Sequence, residues 1–258
     1  MASSDPDETA DPGAALASPA LSGIRRLSAV DTVRARISLA VDLGLLAPGE
    51  WLPGNAAIAA ALDVSQITVR RALVALGRDG VLERRPGRGG GTRVVAEPAR
   101  SAVRETDGYR AAADEVHRRV DQRLVLECGL AHLAARAADA DRLAELQELA
   151  ERMERAADWA EFHRLDEVFH RTVAAATGVP AAAADYEPVL RDLYRYYLPY
   201  PMEQLRESNR EHHELVAALR ARDAAAAADV AHRHVTALHR DMFVGLDARR
   251  RLPPPARS

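Results

Sequence analysis

The chain contains no lysine. All 35 of its basic residues are arginine, and 38 acidic residues oppose them. With alanine so abundant, that bias is a mark of GC-rich coding more than of function. Cysteine is nearly absent as well. A lone Cys128 excludes an intramolecular disulfide and fits a reducing compartment. No long apolar run occurs, and residues 1–23 are rich in Ala, Ser, Pro and Asp without a basic start, so neither a signal peptide nor a membrane span is expected. These absences together point to a cytoplasmic protein. A glycine run at 87–91 is followed by no Gly-Lys-Ser/Thr and no opening helix, so it is read as a flexible hairpin tip and not as a phosphate cradle.

What is present divides the chain in two. The net charge of −3 hides an asymmetry, because residues 24–99 carry 11 arginines against 7 acidic residues. A mildly basic N-terminal region can bind nucleic acid, helped by dimerisation, without being a polybasic binder. Asp31 to Leu43 shows helical spacing closed by Gly44, and Ala56 to Leu62 forms a small second helix. Ser65 is a good N-cap for a third, in which Val69, Ala72, Leu73 and Leu76 make one apolar stripe. Gln66, Thr68, Arg70 and Arg71 lie off that stripe. Residues 81–85 and 92–95 alternate as strands around the glycine tip. Helix, turn, helix and hairpin in this order predict a winged helix-turn-helix.

Beyond about residue 110 strand signals disappear. Helices are expected over about 112–138, 141–157, 159–177, 182–198, 202–221 and 224–246. The fold class is therefore mainly α, a winged head followed by an antiparallel all-α bundle of six to seven helices. The divisions are a disordered extension at 1–24, the DNA-binding head at 25–97, a linker at 98–110, the helical domain at 111–247 and a disordered tail at 248–258.

Polar residues interrupt the bundle's apolar faces. Asp166 and His170, four apart, leave one helical face about one turn apart. His212 and His234 flank the turn near Arg222-Asp223, and antiparallel packing brings them nearly level. His213 and His232 would be level too, but only His212 (with Leu215, Val216 and Leu219) and His234 (with Val230 and Leu238) share apolar faces. A single inward histidine is more often just a hydrogen-bonded core residue. One carboxylate and three imidazoles on three helices at matched depth suit a borderline divalent metal such as zinc, nickel or manganese. His163, one turn before Asp166, is an extra inward candidate, although it reads more simply as a partly exposed helix residue. Arg123 interrupts a seam of Val116, Val120, Leu130 and Ala134. Either it pairs with Glu127, or its planar fork binds the carboxylate of a small effector. Tyr194, Tyr196 and Tyr197 are possible pocket walls.

The segments LAPGEWLP (46–53), LDVSQITVRRAL (62–73) and DGVLERRPGRG (79–89) resemble the GntR family of bacterial transcription regulators. That resemblance implies DNA contacts from Ser65, Gln66, Thr68 and Arg70 on the recognition helix and from Arg88 and Gly89 on the wing. Arg71 joins them as a backbone contact. Asn55-Ala56 stand where the family commonly has an acidic residue and a DNA-contacting arginine. DEVFHRTVAAATG (166–178) and EHHELVAALRARDAAAAADVAHRH (211–234) resemble the ligand-binding (FCD-type) domain of the FadR subfamily. Many of its members carry an Asp, His, His, His metal site, here Asp166, His170, His212 and His234, with an arginine at the place of Arg123 holding an effector carboxylate. The resemblance implies a homodimeric, ligand-responsive regulator, expected to be a repressor, on double-stranded operator DNA. The rival is a metal-dependent hydrolase with a DNA-binding appendage, since such a metal can also activate water.

Overall fold

The computed structural model describes residues 28–86, 90–99 and 113–241. The expected N-terminal extension, most of the linker, the wing tip with Arg88 and Gly89, and the C-terminal tail lie outside the described residues.

Helix α1 (Ala29–Asp42) begins two residues earlier than predicted, because Ser28 caps it by accepting from the Asp31 amide. Its apolar stripe packs against α3 (Gln66–Arg78), and α2 (Asn55–Ala61) closes the three-helix head. The turn between α2 and α3 is tight enough to put Asp63 at φ 49°. Ser65 caps α3 through the Thr68 amide at 3.1 Å. The helix stops before Gly80, whose φ of 73° suits a residue without a Cβ. Strands β1 (Leu82–Arg85) and β2 (Gly91–Val94) pair antiparallel from Leu82↔Val94 to Arg85↔Gly91. An isolated bridge adds Trp51 to Arg93. A Cβ on Gly91 would meet the Trp51 ring at 3.2 Å, so glycine there lets the indole lie against the root of the wing.

Six further helices follow among the described residues: α4 (Ala113–Ala137), α5 (Ala140–Glu154), α6 (Trp159–Ala175), α7 (Pro180–Tyr194), α8 (Met202–Arg220) and α9 (Ala224–Asp241). Asp158 caps α6 by accepting from the amides of Ala160 and Glu161, while Glu161 reaches back to the amide of Ala157. Helix α7 is shifted at both ends from expectation. Helix α7 starts at Pro180, because a first-turn residue needs no amide donor. It ends at Tyr194, four residues early, because Pro199 and Pro201 cannot continue the helix and bias the residues before them toward extended backbone. Residues 195–201 therefore form an elbow into α8.

Helices α4 and α9 pack along one another, and α6 lies between α5 and α7. One apolar core runs from the head (Ile37, Leu39, Ile58) into the base of the bundle (Val120, Trp159, Leu193), so the two parts share buried surface. A second core surrounds Phe169, Leu146 and Leu215. No described helix is long and apolar enough to cross a membrane.

Candidate metal centre and nucleic-acid interface

Helix α6 presents Asp166 and His170 one turn apart, α8 presents His212, and α9 presents His234; all four are buried. One ligand atom from each of the three histidines lies within 4.8 Å of the others. The His212 and His234 ring centroids are 4.7 Å apart, and each is 5.2 Å from His170. Asp166 Oδ1 sits 3.3 Å from His212 Nε2 and 3.7 Å from His170 Nε2. His213 is half-buried and His232 exposed, as the face argument required.

Each imidazole is oriented through Nδ1. His212 Nδ1 lies 3.1 Å from Asn209 Oδ1, and Asn209 Nδ2 donates to the Ala150 carbonyl at 2.9 Å, which turns the amide oxygen toward the ring. His234 Nδ1 lies 2.9 Å from Glu211 Oε2. His170 Nδ1 lies 2.8 Å from Glu127 Oε1, near in distance although not aligned as a hydrogen bond. The acceptors on Nδ1 orient the His212 and His234 rings and leave Nε2 as their lone-pair nitrogen, whereas Nε2 of His170 already faces Arg123. His212 Nε2 is buried without any hydrogen-bond partner. It faces Asp166 Oδ1, so two electron-rich atoms oppose each other across 3.3 Å. A shared cation relieves that opposition, and the donor set of three neutral imidazoles and one carboxylate fits a borderline divalent ion.

The surrounding charges agree. Burial would raise the Asp166 carboxyl, but His170, His212 and a short hydrogen bond from the Tyr194 hydroxyl hold it down at about 2. Burial, with His234 beside it, pushes the His212 imidazole well below its usual range. Burial lowers His170 too, against the pull of Glu127. His163 is a correction to the expectation of partial exposure. It is buried against the rings of Tyr194 and Tyr197, and burial with Arg36 nearby lowers it to about 3.

Arg123 is wholly out of solvent. Its Nε and Nη2 donate to Glu127 at 2.6 and 3.3 Å, and Nη1 donates to the Tyr197 hydroxyl at 2.9 Å. The Glu127 pairing is thus present, and Tyr186 adds a hydroxyl donor to the same carboxylate at 2.6 Å. Nη2 also lies 2.9 Å from His170 Nε2, so Arg123 does reach the histidine cluster. From His234 and Glu211 the site opens onto a cleft of about 520 Å³ between α8 and α9, walled by Tyr197 and Tyr200 and edged by Arg210 and Arg240.

On the head, Ser65, Gln66, Arg70 and Arg71 are exposed, and Thr68 is half-buried with its hydroxyl 2.9 Å from that of Ser65. Gln66 and Arg70 line a groove of about 1050 Å³ between α3 and the wing, which Arg84 and Thr92 close from the other side. Arg88 and Gly89 are outside the described residues. Two features escaped sequence reasoning. Asn209 and Glu211 orient the histidines, and only their spacing of three and one from His212 hinted at it. Ile67, in the first turn of α3 beside Gln66, is 60% exposed.

Comparison with known proteins matches residues 29–94 to the bacterial regulatory proteins of the gntR family and residues 118–237 to the FCD domain. A putative HTH-type transcriptional regulator, RmpR of Mycobacterium gastri, is 32% identical over 198 residues, spanning 73% of this chain and 71% of its own. Among solved structures, E. coli McbR/YncC is 23% identical and covers 84% of this chain and 98% of its own at a TM-score of 0.45. Streptococcus agalactiae GntR is 26% identical over 82% of this chain and 99% of its own at 0.42. Neither overlay is close enough to bear on residue-level geometry. The chain belongs to the GntR family of bacterial regulators and carries an FCD-type C-terminal domain; it is a transcriptional regulator.

The buried rings generate a pH prediction. His163, His170 and His212 refuse protons in the folded protein that the unfolded chain accepts below about pH 6.5. Stability of the metal-free protein is therefore full at neutral pH and falls as the pH drops from 6.5 toward about 3, the value to which His163 is lowered. Each ring contributes up to about 1.4 kcal/mol of loss per tenfold rise in proton concentration. Urea titrations of chelator-treated protein should give a clearly lower midpoint near pH ~5.5 than near pH ~7.5. Equal midpoints would mean that these rings protonate inside the fold.

Proposed function

We propose that this regulator is a homodimeric member of the FadR subfamily, a repressor whose bundle senses a small organic acid at a divalent metal held by Asp166, His170, His212 and His234. The observation that carries the reading is the convergence of His170, His212 and His234, with Asp166 Oδ1 beside two of them and His212 Nε2 left without a hydrogen-bond partner in a buried site. When bound, the metal supplies a Lewis-acidic docking point for a carboxylate.

Arg123 gives that carboxylate a second handle. Were a cation to take the His170 lone pair, the Nη2 of Arg123 would lose one acceptor, which an anionic ligand could replace. The cleft behind His234 gives the acid a way in. In the head, Gln66 and Arg70 suit adenine and guanine edges, Ser65, Thr68 and Arg71 suit the backbone, and Ile67 suits a thymine methyl. Arg88 and Gly89 complete the interface from the wing. Two heads on a dimer read a pseudo-palindromic operator, and a ligand preferring the arrangement that cannot span both half-sites releases it.

Elemental analysis of protein purified without chelator should find about one divalent ion per subunit, the capacity of one four-donor site. His212→Ala and His234→Ala should lose most of it, whereas His213→Ala and His232→Ala keep it. Equal loss from both pairs would remove the site.

Arg70→Ala should weaken binding to a selected operator by ~1–3 kcal/mol and relax base preference at one position. A loss spread evenly over all sequences, with a shallower salt dependence, would reassign Arg70 to the phosphate backbone.

Arg123→Lys keeps the charge but loses the planar fork. Operator binding should persist while release by metabolite carboxylic acids falls at least about tenfold in potency, the scale of a lost bidentate contact. Unchanged release would confine Arg123 to its pairing with Glu127.

A further inference from the structure

Among the described residues Arg36 is buried as Arg123 is, and it joins the two halves of the molecule. It projects from α1 in the head and is 2% exposed. Its Nε donates to the Tyr197 carbonyl at 2.5 Å and its Nη2 to the Tyr194 carbonyl at 3.2 Å, at the C-terminal end of α7 and in the elbow that follows. Those two tyrosines also touch the candidate site. The Tyr194 hydroxyl binds Asp166, and the Tyr197 hydroxyl accepts from Arg123. Tyr197 and Tyr200 of the same elbow wall the cleft that opens from His234. On the far side, α1 is fastened to the recognition helix. Arg34, two residues before Arg36, pairs with Asp79 at the C-cap of α3 at 3.0 Å.

We infer that Arg36 is a positioning residue that transmits movement of the elbow to the recognition helix through α1. Two carbonyls at fixed spacing require the planar fork of arginine, which holds both at once as an ammonium would not. Displacement of the elbow shifts both acceptors together, so α1 must follow or the buried guanidinium loses these two hydrogen bonds. Helix α1 in turn carries α3 through Arg34 and their shared apolar stripe. The inference rests on the reading of the bundle as a sensor only for what moves the elbow; the tie itself is independent of any ligand.

The decisive experiment is a double-mutant cycle on operator affinity in the full-length protein, without added metal. Its corners are wild type, Arg36→Lys, Tyr197→Phe and the double variant, on a duplex selected from random sequence. Tyr197→Phe removes the hydroxyl that Arg123 holds and leaves the carbonyl that Arg36 holds. With the tie in place, Tyr197→Phe should change affinity at least about tenfold in the Arg36 background and less than about 1.5-fold in the Lys background, a difference beyond the additivity of independent sites. Additive effects overturn the inference. Arg36→Gln, which keeps one amide donor, replaces Arg36→Lys if the latter does not fold. A parallel titration with manganese alone separates the two readings. A cycle that is non-additive while manganese leaves operator affinity unchanged upholds the tie and removes metal occupancy as its input. An additive cycle with a manganese response leaves the sensor and removes Arg36 as its route.

Discussion

Arg123 and Glu127 sit one turn apart on α4 with 0% and 2% of their side chains exposed, and the bundle is arranged around keeping both charges satisfied. An unpaired charge at such depth costs several kcal/mol. Here the guanidinium has Glu127, the Tyr197 hydroxyl and His170 within hydrogen-bonding distance. The carboxylate has Arg123, the Tyr186 hydroxyl and His170 Nδ1. Burial alone would neutralise Glu127, yet Arg123 and then His170 hold it ionised well below the usual carboxylate range. The network spans α4, α6, α7 and the elbow, so the mutual placement of these elements is set by hydrogen-bond geometry as well as by apolar packing, which tolerates more slippage.

The orientation of the histidine cluster follows from that arrangement. His170 has Glu127 2.8 Å from one nitrogen and Arg123 2.9 Å from the other, so its ring lies within the charge network before any metal is considered. His212 depends on a different support, Asn209, which is anchored to α5 through the Ala150 carbonyl. His234 depends on Glu211, which is half-exposed at the mouth of the cleft. The three ligands therefore differ in rigidity. Two are set from the interior and one from the rim, so the rim ligand is where a ligand entering the cleft acts most directly on the site.

Periodicity made much of this legible. The helical spacing and apolar companions of His212 and His234 separated them from their neighbours His213 and His232, because a face is a local property of a helix. The winged head was legible for the same reason: Ser65, the stripe from Val69 to Leu76 and the glycine tip are all local signals. What stayed hidden depended on long-range partners. Arg36 reaches carbonyls more than 150 residues away, and nothing in its own helix announces them. His163 read as partly exposed because its burial comes from tyrosines on another helix and its elbow, and from the head. The early end of α7 follows from Pro199 and Pro201, which bias the residues before them away from helix.

The same distinction bears on how a regulator of this build responds. The head and the bundle share an apolar core, which resists separation but is weakly directional. A coupling between sites typically amounts to about 1–3 kcal/mol, and it requires contacts that differ between two arrangements. Apolar burial changes little when α1 slides slightly along the bundle. Hydrogen bonds from one planar guanidinium to two carbonyls change steeply, because they weaken within a few tenths of an ångström and with modest rotation. Of the contacts joining the head to the bundle, those of Arg36 thus combine burial, direction and attachment to residues that touch the candidate site. A small displacement of the elbow is then felt at α1 as lost or regained hydrogen bonds, while the shared core keeps the two halves together in either arrangement.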